Sequence, residues 1–271
     1  MRWFGRTGTK CTTCTKMNFM ERYARQLMLP EFGIEAQEKL RRSHVLLVGA
    51  GGLGSTIAPL LCAAGLGKLT LVDADKVSES NLQRQILYRT SQIGQPKAEC
   101  ARKSLQNLNP DCEVMAINAF LNQENALEIS HDCQIIVDGS DNAQARYLMN
   151  DLAVGRGIPY VYGSIEAFHG QVSVFNLNPK SATYRCLFPE PQTLPEPQSI
   201  GVIGTLPSFI ASIQANECIK ALTGCGPCLD NRLFTCDLLS MQTHCFDLQP
   251  TDSGRDISLQ NFQKLIASST R

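Results

Sequence analysis

Apolar and polar positions along the chain change period in a regular order. ERYARQLMLPEFG reads as a short helix with Arg22 and Arg25 one turn apart, and IEAQEKLRRS as an amphipathic helix. The apolar run Val45–Val48 then marks a strand over His44–Val48. A glycine turn opens at Gly49, a helix runs to about Ala64, and a second strand is expected at Leu69–Val72. Polar and basic residues follow in SNLQRQILY and GQPK, and a helix is predicted from about Ala98 to Leu108. Strands CEVMAIN, CQIIVD and IPYVYGSI alternate with helices at QENALEIS and from Asn142 to about Arg156. Such alternation predicts an α/β fold: a Rossmann-like, mostly parallel sheet with helices on both faces.

After Glu166 the rhythm changes. GQVSVFN alternates like an antiparallel strand, and LFPEPQTLPEPQ is too rich in proline for a regular element. GVIGTLPSFIASIQANECIKALTG reads as one apolar helix closed by Gly224. RLFTCDL and MQTHCFDL read as a closing hairpin, and SLQNFQKLIAS as a small amphipathic helix. The parallel sheet is therefore expected to continue into antiparallel strands. The expected organisation is a disordered arm over 1–19, one domain over 20–250 and a tail over 251–271.

Composition narrows the function classes. Lysine plus arginine and aspartate plus glutamate each number 25, so no bulk charge argues for nucleic acid or an anionic membrane. Val45 to Gly67 carries no charge, but its glycines and Pro59 mark a buried βα unit rather than a membrane span. Residues 1–19 are basic and Thr-rich and lack the apolar core of a secretory signal, so a cytoplasmic protein is expected. Of twelve cysteines, Cys62, Cys100, Cys112, Cys133 and Cys218 sit in apolar or helical context, as reduced, buried hydrophobes do. The pairs Cys11–Cys14 and Cys225–Cys228 each offer half a zinc site. The second also spells a thioredoxin motif, but it follows a helix and precedes a strand, the reverse of that motif's setting.

The candidate chemistry gathers at the strand tips. Gly49, Gly51 and Gly54 match GxGxxG, with Gly52 a fourth glycine, between a strand and a helix. Glycines there let backbone N–H groups approach a phosphate at a positive helix end. Asp73, at the tip of the second strand, is placed to accept from ribose hydroxyls. These residues alone suit a dinucleotide. Arg84 and Lys97 on the same rim add cations that a triphosphate needs, and their Gly/Pro/Asn-rich loops argue against two merely solvated charges. The fourth strand ends in Asp138-Gly-Ser-Asp141-Asn142, placing a carboxylate at the same crevice. Asp141 is a candidate magnesium ligand and, alternatively, the cap of the helix that follows.

With GAGGLGS, VDADKVSESNLQRQ, GQPK, DGSDN and YRC in place, the chain resembles the E1-like ThiF/MoeB/HesA family, over about residues 20 to 248. The resemblance implies the E1-like activating enzyme fold and a homodimer. It implies ATP-dependent adenylylation of the C-terminal glycine of a small ubiquitin-like sulfur carrier ending in Gly-Gly, in molybdopterin or thiamine biosynthesis. It assigns Gly49, Gly51, Gly52 and Gly54 to the phosphates and Asp73 to the ribose. Ser80, Asn81, Leu82, Gln83, Arg84 and Lys97 fall to the ATP, and Asp141 to magnesium with Asn142 beside it. Arg25 matches an arginine that reaches into the neighbouring subunit's site, so Arg25, Arg84, Lys97 and Asp141 are the expected catalytic residues.

Two departures from the family pattern carry consequences. Its structural zinc is held by two CxxC pairs, the first reading CYRC; here the first pair reads Thr183-Tyr184-Arg185-Cys186, and no cysteine follows Cys245. The usual zinc site is therefore expected to be absent, leaving that lobe to rely on packing. Where some members carry a cysteine that bonds covalently to the carrier, this chain has Pro197, so adenylylation without a thioester is expected. The alternatives are a non-catalytic scaffold of the same fold and a relative that adenylates a small-molecule or tRNA-borne carboxylate.

Overall fold

The computed structural model describes residues 21–189 and 201–269. The expectations for the N-terminal arm, for Cys11 and Cys14, for Pro197 and for most of the proline-rich loop lie outside them.

The chain begins with helices α1 (Ala24–Leu27) and α2 (Gly33–Arg41). The Rossmann half follows: β1 (His44–Val48), α3 (Gly54–Ala64), β2 (Lys68–Val72), α4 (Lys97–Leu108), β3 (Glu113–Ile117), α5 (Ala126–Ile129), β4 (Ile135–Asp138), α6 (Ala143–Arg156) and β5 (Tyr160–Glu166). Then come β6 (His169–Phe175), α7 (Tyr184–Leu187), α8 (Thr205–Thr223), β7 (Arg232–Asp237), β8 (Gln242–Asp247) and α9 (Asp252–Ser269). All eight strands form one sheet in the order β3-β2-β1-β4-β5-β6-β7-β8. The first five pair in parallel and β5 through β8 antiparallel. This is the doubly wound sheet with an antiparallel continuation that the hydrophobic pattern predicts.

Every residue of β1 is buried, because the sheet is covered on both sides. One layer packs α3, α4 and α8 through residues such as Ile57, Leu61, Leu105 and Ile210. The other packs α6, α7 and α9 around an aromatic group of Tyr147, Tyr160, Tyr162, Phe175 and Tyr184. The chain leaves β1 toward β2 and later returns to β4 on the other side. That reversal opens a crevice beyond the carboxyl ends of β1 and β4, where such sheets bind ligands. Cys62, Cys100, Cys112, Cys133 and Cys218 are all buried thiols, as their apolar context predicts. No helix among the described residues is long and apolar enough to cross a membrane.

Several boundaries differ from the sequence reading. The apolar helix expected from Gly201 starts only at Thr205: Val202 makes a bridge with Ala167, and Gly204 lies against the Gln83 backbone. The helix expected over QENALEIS shrinks to the single turn Ala126–Ile129, because the Asn122 side chain accepts from Glu124 and Asn125 N–H and forms a turn instead. Lys97 opens α4, one residue earlier than expected, with Pro96 fixing the entry. The tail helix begins at Asp252, six residues before the amphipathic pattern does, and packs against α6, where Phe262 covers Gly155.

Candidate nucleotide-binding site

The glycine turn is built by backbone touching backbone. Gly49 has φ +94°, a conformation that side chains rarely adopt, and its N–H donates to the Val72 carbonyl at 2.8 Å. A Cβ on Gly54 would overlap the Gly49 carbonyl, and the Gly49 carbonyl also lies against Gly139 at the tip of β4. Gly139 in turn donates to the Val48 carbonyl at 2.7 Å. These contacts lock the ends of β1, β2 and β4 together and aim the start of α3 into the crevice. A Cβ on Gly51 would meet only the Gln85 amide, at an ordinary 3.6 Å, so this position keeps an open face. A Cβ on Gly52 would stand 3.2 Å from Pro207 of α8 and 3.8 Å from the Arg84 side chain.

Asp73 ties this turn to the basic loop. Its Oδ2 accepts from Ala50 N–H at 2.7 Å and its Oδ1 from Asp75 N–H at 2.8 Å. Burial pushes the Asp73 carboxyl above the usual carboxylate range, against those hydrogen bonds and the charge of Lys97. Each carboxylate oxygen keeps one lone pair for a further donor. Lys97 is 4% exposed and its Nζ pairs with Asp75 Oδ2 at 2.9 Å. Arg84 donates to the Ser80 carbonyl at 3.2 Å, and the Asn81 carbonyl accepts the Arg84 and Gln85 N–H groups. Leu82 turns its side chain into the core, leaving its backbone to the loop surface. Gly49 to Gly54, Asp73, the Ser80–Arg84 loop and Lys97 thus meet on one rim.

Asp141 and Asp138 take different environments. Of the two carboxylates in that segment, Asp138 is fully buried on the aromatic side of the sheet. Its Oδ2 accepts from Arg146 Nε at 3.1 Å and from the Tyr160 hydroxyl at 3.2 Å, and its Oδ1 from Ser140. Arg146 also donates to the Ser140 carbonyl at 3.1 Å and lies over the Tyr162 ring, so this buried pair fixes the loop leading to Asp141. Asp141 is exposed and carries no hydrogen bond among the described residues. The alternative role for Asp141 as helix cap falls to Asn142, whose side chain accepts from Gln144 and Ala145 N–H.

Arg25 lies elsewhere. Its neighbours in and just before α1 hold to the far ends of two helices: Gln26 donates to the Ala64 carbonyl at 2.7 Å, and Arg22 to the Leu108 carbonyl at 3.2 Å. The eleven residues of α3 separate that end from the glycine turn by roughly 16 Å. Arg25 therefore does not serve its own chain's turn.

Some contributors escaped the sequence reading. The Tyr88 hydroxyl donates to the Ala50 carbonyl at 2.8 Å, buttressing the turn from behind. Gln214 of α8 donates to the Asp138 carbonyl at 2.7 Å from a fully buried position over Gly163. An amide within the apolar run FIASIQA was the available signal for Gln214; Tyr88 offered none.

Comparison with known proteins places the chain in a family. The ThiF family matches residues 23–256. The sulfur carrier protein adenylyltransferase of Thermus thermophilus is 45% identical over 227 residues, covering 81% of this chain and 84% of that protein. The SAMP-activating enzyme E1 of Haloferax volcanii is 42% identical over 225 residues, covering 82% and 83%. Adenylyltransferase and sulfurtransferase MOCS3 of Drosophila grimshawi is 44% identical over 82% of this chain, which spans only 50% of that longer protein. Among solved structures, E. coli MccB superposes with a TM-score of 0.76 at 18% identity, covering 90% of this chain and 81% of that one. PaaA gives 0.74 at 22% identity, with coverage of 90% and 77%; both likenesses concern the fold alone. A family match that takes in the glycine turn, the basic rim and the whole sheet leaves one assignment: the chain belongs to the ThiF family.

Proposed function

We propose that the chain is an ATP-dependent adenylyltransferase that activates the C-terminal glycine of a small ubiquitin-like sulfur carrier. The observation that carries this reading is the meeting of Arg84 and the buried Lys97 with the glycine turn, which supplies more positive charge than a dinucleotide's pyrophosphate needs. Relatives named as sulfur carrier protein adenylyltransferase and SAMP-activating enzyme E1, at 45% and 42% identity over most of their lengths, support the same activity.

The chemistry follows from charge. The carrier's terminal carboxylate is ionised at neutral pH and attacks the α-phosphorus of ATP directly, so no protein base is needed. Its bond to phosphorus forms as the bond to the leaving pyrophosphate breaks, giving an acyl-adenylate. Arg84 and Lys97 hold the phosphates and offset the repulsion between the two anions. The N–H groups around Gly51 and Gly52 point at the helix end where phosphate oxygens sit. Asp73 takes the ribose with its remaining lone pairs. Magnesium suits a site of one or two carboxylates completed by phosphate oxygens, and the exposed Asp141 fits that role; bound there, it would neutralise phosphate charge.

Arg25 enters the site of a second subunit in a homodimer, where it meets charge that develops in the transition state. The reading extends to a cytoplasmic enzyme of molybdopterin or thiamine biosynthesis. With Pro197 at the position of the covalent cysteine, the reaction stops at the adenylate.

Pyrophosphate exchange into ATP tests this with a panel of carriers ending in Gly-Gly. Exchange is expected only with a carrier whose terminal glycine is intact. No exchange with any member of the panel, with full cellular function in Arg84→Ala and Asp141→Ala, would establish a scaffold instead.

A further inference from the structure

Two pairs of residues far apart in sequence meet where the last helix joins the domain. Cys186 of α7 holds its Sγ 3.3 Å from Thr183 N and 3.4 Å from Thr183 Oγ1. The same sulfur accepts from Thr251 N–H at 3.3 Å and from the Thr251 hydroxyl at 3.4 Å. Gly254 closes the group: a Cβ there would stand 3.1 Å from Thr251 Oγ1 and 3.2 Å from Cys186 Sγ. Positions 183 and 186, and positions 251 and 254, thus form two pairs of equal spacing around one point. This is the layout of two facing CxxC pairs, filled here by Thr, Cys, Thr and Gly.

A structural zinc does not fit this donor set. Tetrahedral zinc takes four thiolate or imidazole ligands, and this point offers one sulfur, already surrounded by hydrogen-bond donors. No group of three histidines, cysteines, aspartates or glutamates suited to a metal occurs among the described residues. The Cys225–Cys228 pair cannot complete the set, because Cys228 packs in the layer of α3, α4 and α8 while Cys186 packs in the opposite layer.

We infer that this junction is a metal-free knuckle, in which hydrogen bonds converging on the Cys186 sulfur, and a clamp made by α9, hold together what zinc holds elsewhere in the family. The clamp is polar as well as apolar. Arg185 makes a two-pronged ion pair with Asp151 at 2.9 and 2.8 Å, and Asn261 of α9 donates to the same carboxylate at 3.1 Å. Asn150 donates to Ser258 Oγ at 2.8 Å and accepts from Tyr184 N–H at 2.8 Å. Arg255 reaches back to Asn176 Oδ1 at 2.9 Å. The ThiF match ends at residue 256, and α9 runs on to Ser269, so Ser258 and Asn261 lie past the matched residues.

Metal analysis and thermal unfolding of the full chain test this together. Zinc is expected either to be absent or to be retained in Cys186→Ser, and a zinc chelator should leave the unfolding midpoint of the wild type where it was. Thr251→Val, which deletes the hydroxyl at constant shape, should lower the midpoint by roughly 2–4 °C, and Thr251→Ser should restore it. One zinc per chain that a chelator strips with a fall in midpoint, and that Cys186→Ser no longer binds, would overturn the inference. Equal midpoints for wild type, Thr251→Val and Thr251→Ser would overturn it as well. Should Thr251→Val fail to fold, the zinc content of wild type and Cys186→Ser still decides.

Discussion

Gly54 and Gly51 sit three residues apart in one motif and do opposite work. Gly54 leaves no room for a Cβ beside the Gly49 carbonyl, whereas Gly51 has open space apart from the Gln85 amide at 3.6 Å. Gly54→Ala is therefore expected to yield little soluble protein. Gly51→Ala should fold with an unchanged midpoint and lose most of the shift that ATP produces in thermal unfolding. Lys97 shows why a motif's position is more legible than its partners. The sequence places it on the rim, but only the structure shows it 4% exposed and paired with Asp75. Lys97→Met is expected to lower carrier-dependent pyrophosphate exchange by roughly 10²–10³-fold, the scale of losing one well-placed charge on a transition state. The place of Asp73 at the tip of the second strand was legible from its spacing from the turn. Its task of fastening Ala50 and Asp75 N–H groups follows from how the two strand tips converge.

At the scale of elements, α7 and α9 form the part of the fold the hydrophobic pattern described least well. The segment from Asp252 to Ile257 has no clear apolar period, yet it is helical. Thr251 Oγ1 accepts from Gly254 N–H at 3.3 Å and Ser258 is buried against α6, so tertiary contacts supply what the local pattern lacks. The buried pair Arg185–Asp151 is a clear target here. Arg185→Met leaves Asp151 buried with its charge poorly matched and should cost about 3–5 kcal/mol in denaturant unfolding. Cys186 gives this junction a pH dependence. Burial pushes its thiol up, but hydrogen bonds from Thr183 and Thr251 outweigh that and bring it below the ordinary thiol value. A depressed folded-state value adds stability that is fully present above the unfolded thiol's value and is lost as pH falls through the folded one. The stability advantage of wild type over Cys186→Ser should therefore be larger near about pH 10 than near about pH 6, measured as the difference in denaturant midpoints.

For the whole molecule, the position of Arg25 is decisive. Gln26 at Ala64 and Arg22 at Leu108 place α1 at the sheet edge opposite the glycine turn, the length of α3 away. Under the dimer reading, Arg25→Ala and Lys97→Met should each be inactive alone and regain exchange when unfolded and refolded together, since one mixed site keeps both cations. No recovery on mixing would remove Arg25 from the chemistry. The sequence by itself determined the order of strands and helices, the glycine turn and the basic rim. Those features are written in local period, turn residues and short spacings, which act within a few residues of one another. Only the tertiary structure decided that Asp138 turns inward to Arg146 while Asp141 stays at the surface. The two carboxylates are three residues apart, and the distinction rests on Tyr160 and Tyr162 from another strand. It also decided that Thr251 and Gly254 stand where Thr183 and Cys186 await partners. That meeting joins positions 65 residues apart between Cys186 and Thr251, through packing of α9 on α6 that no local spacing encodes.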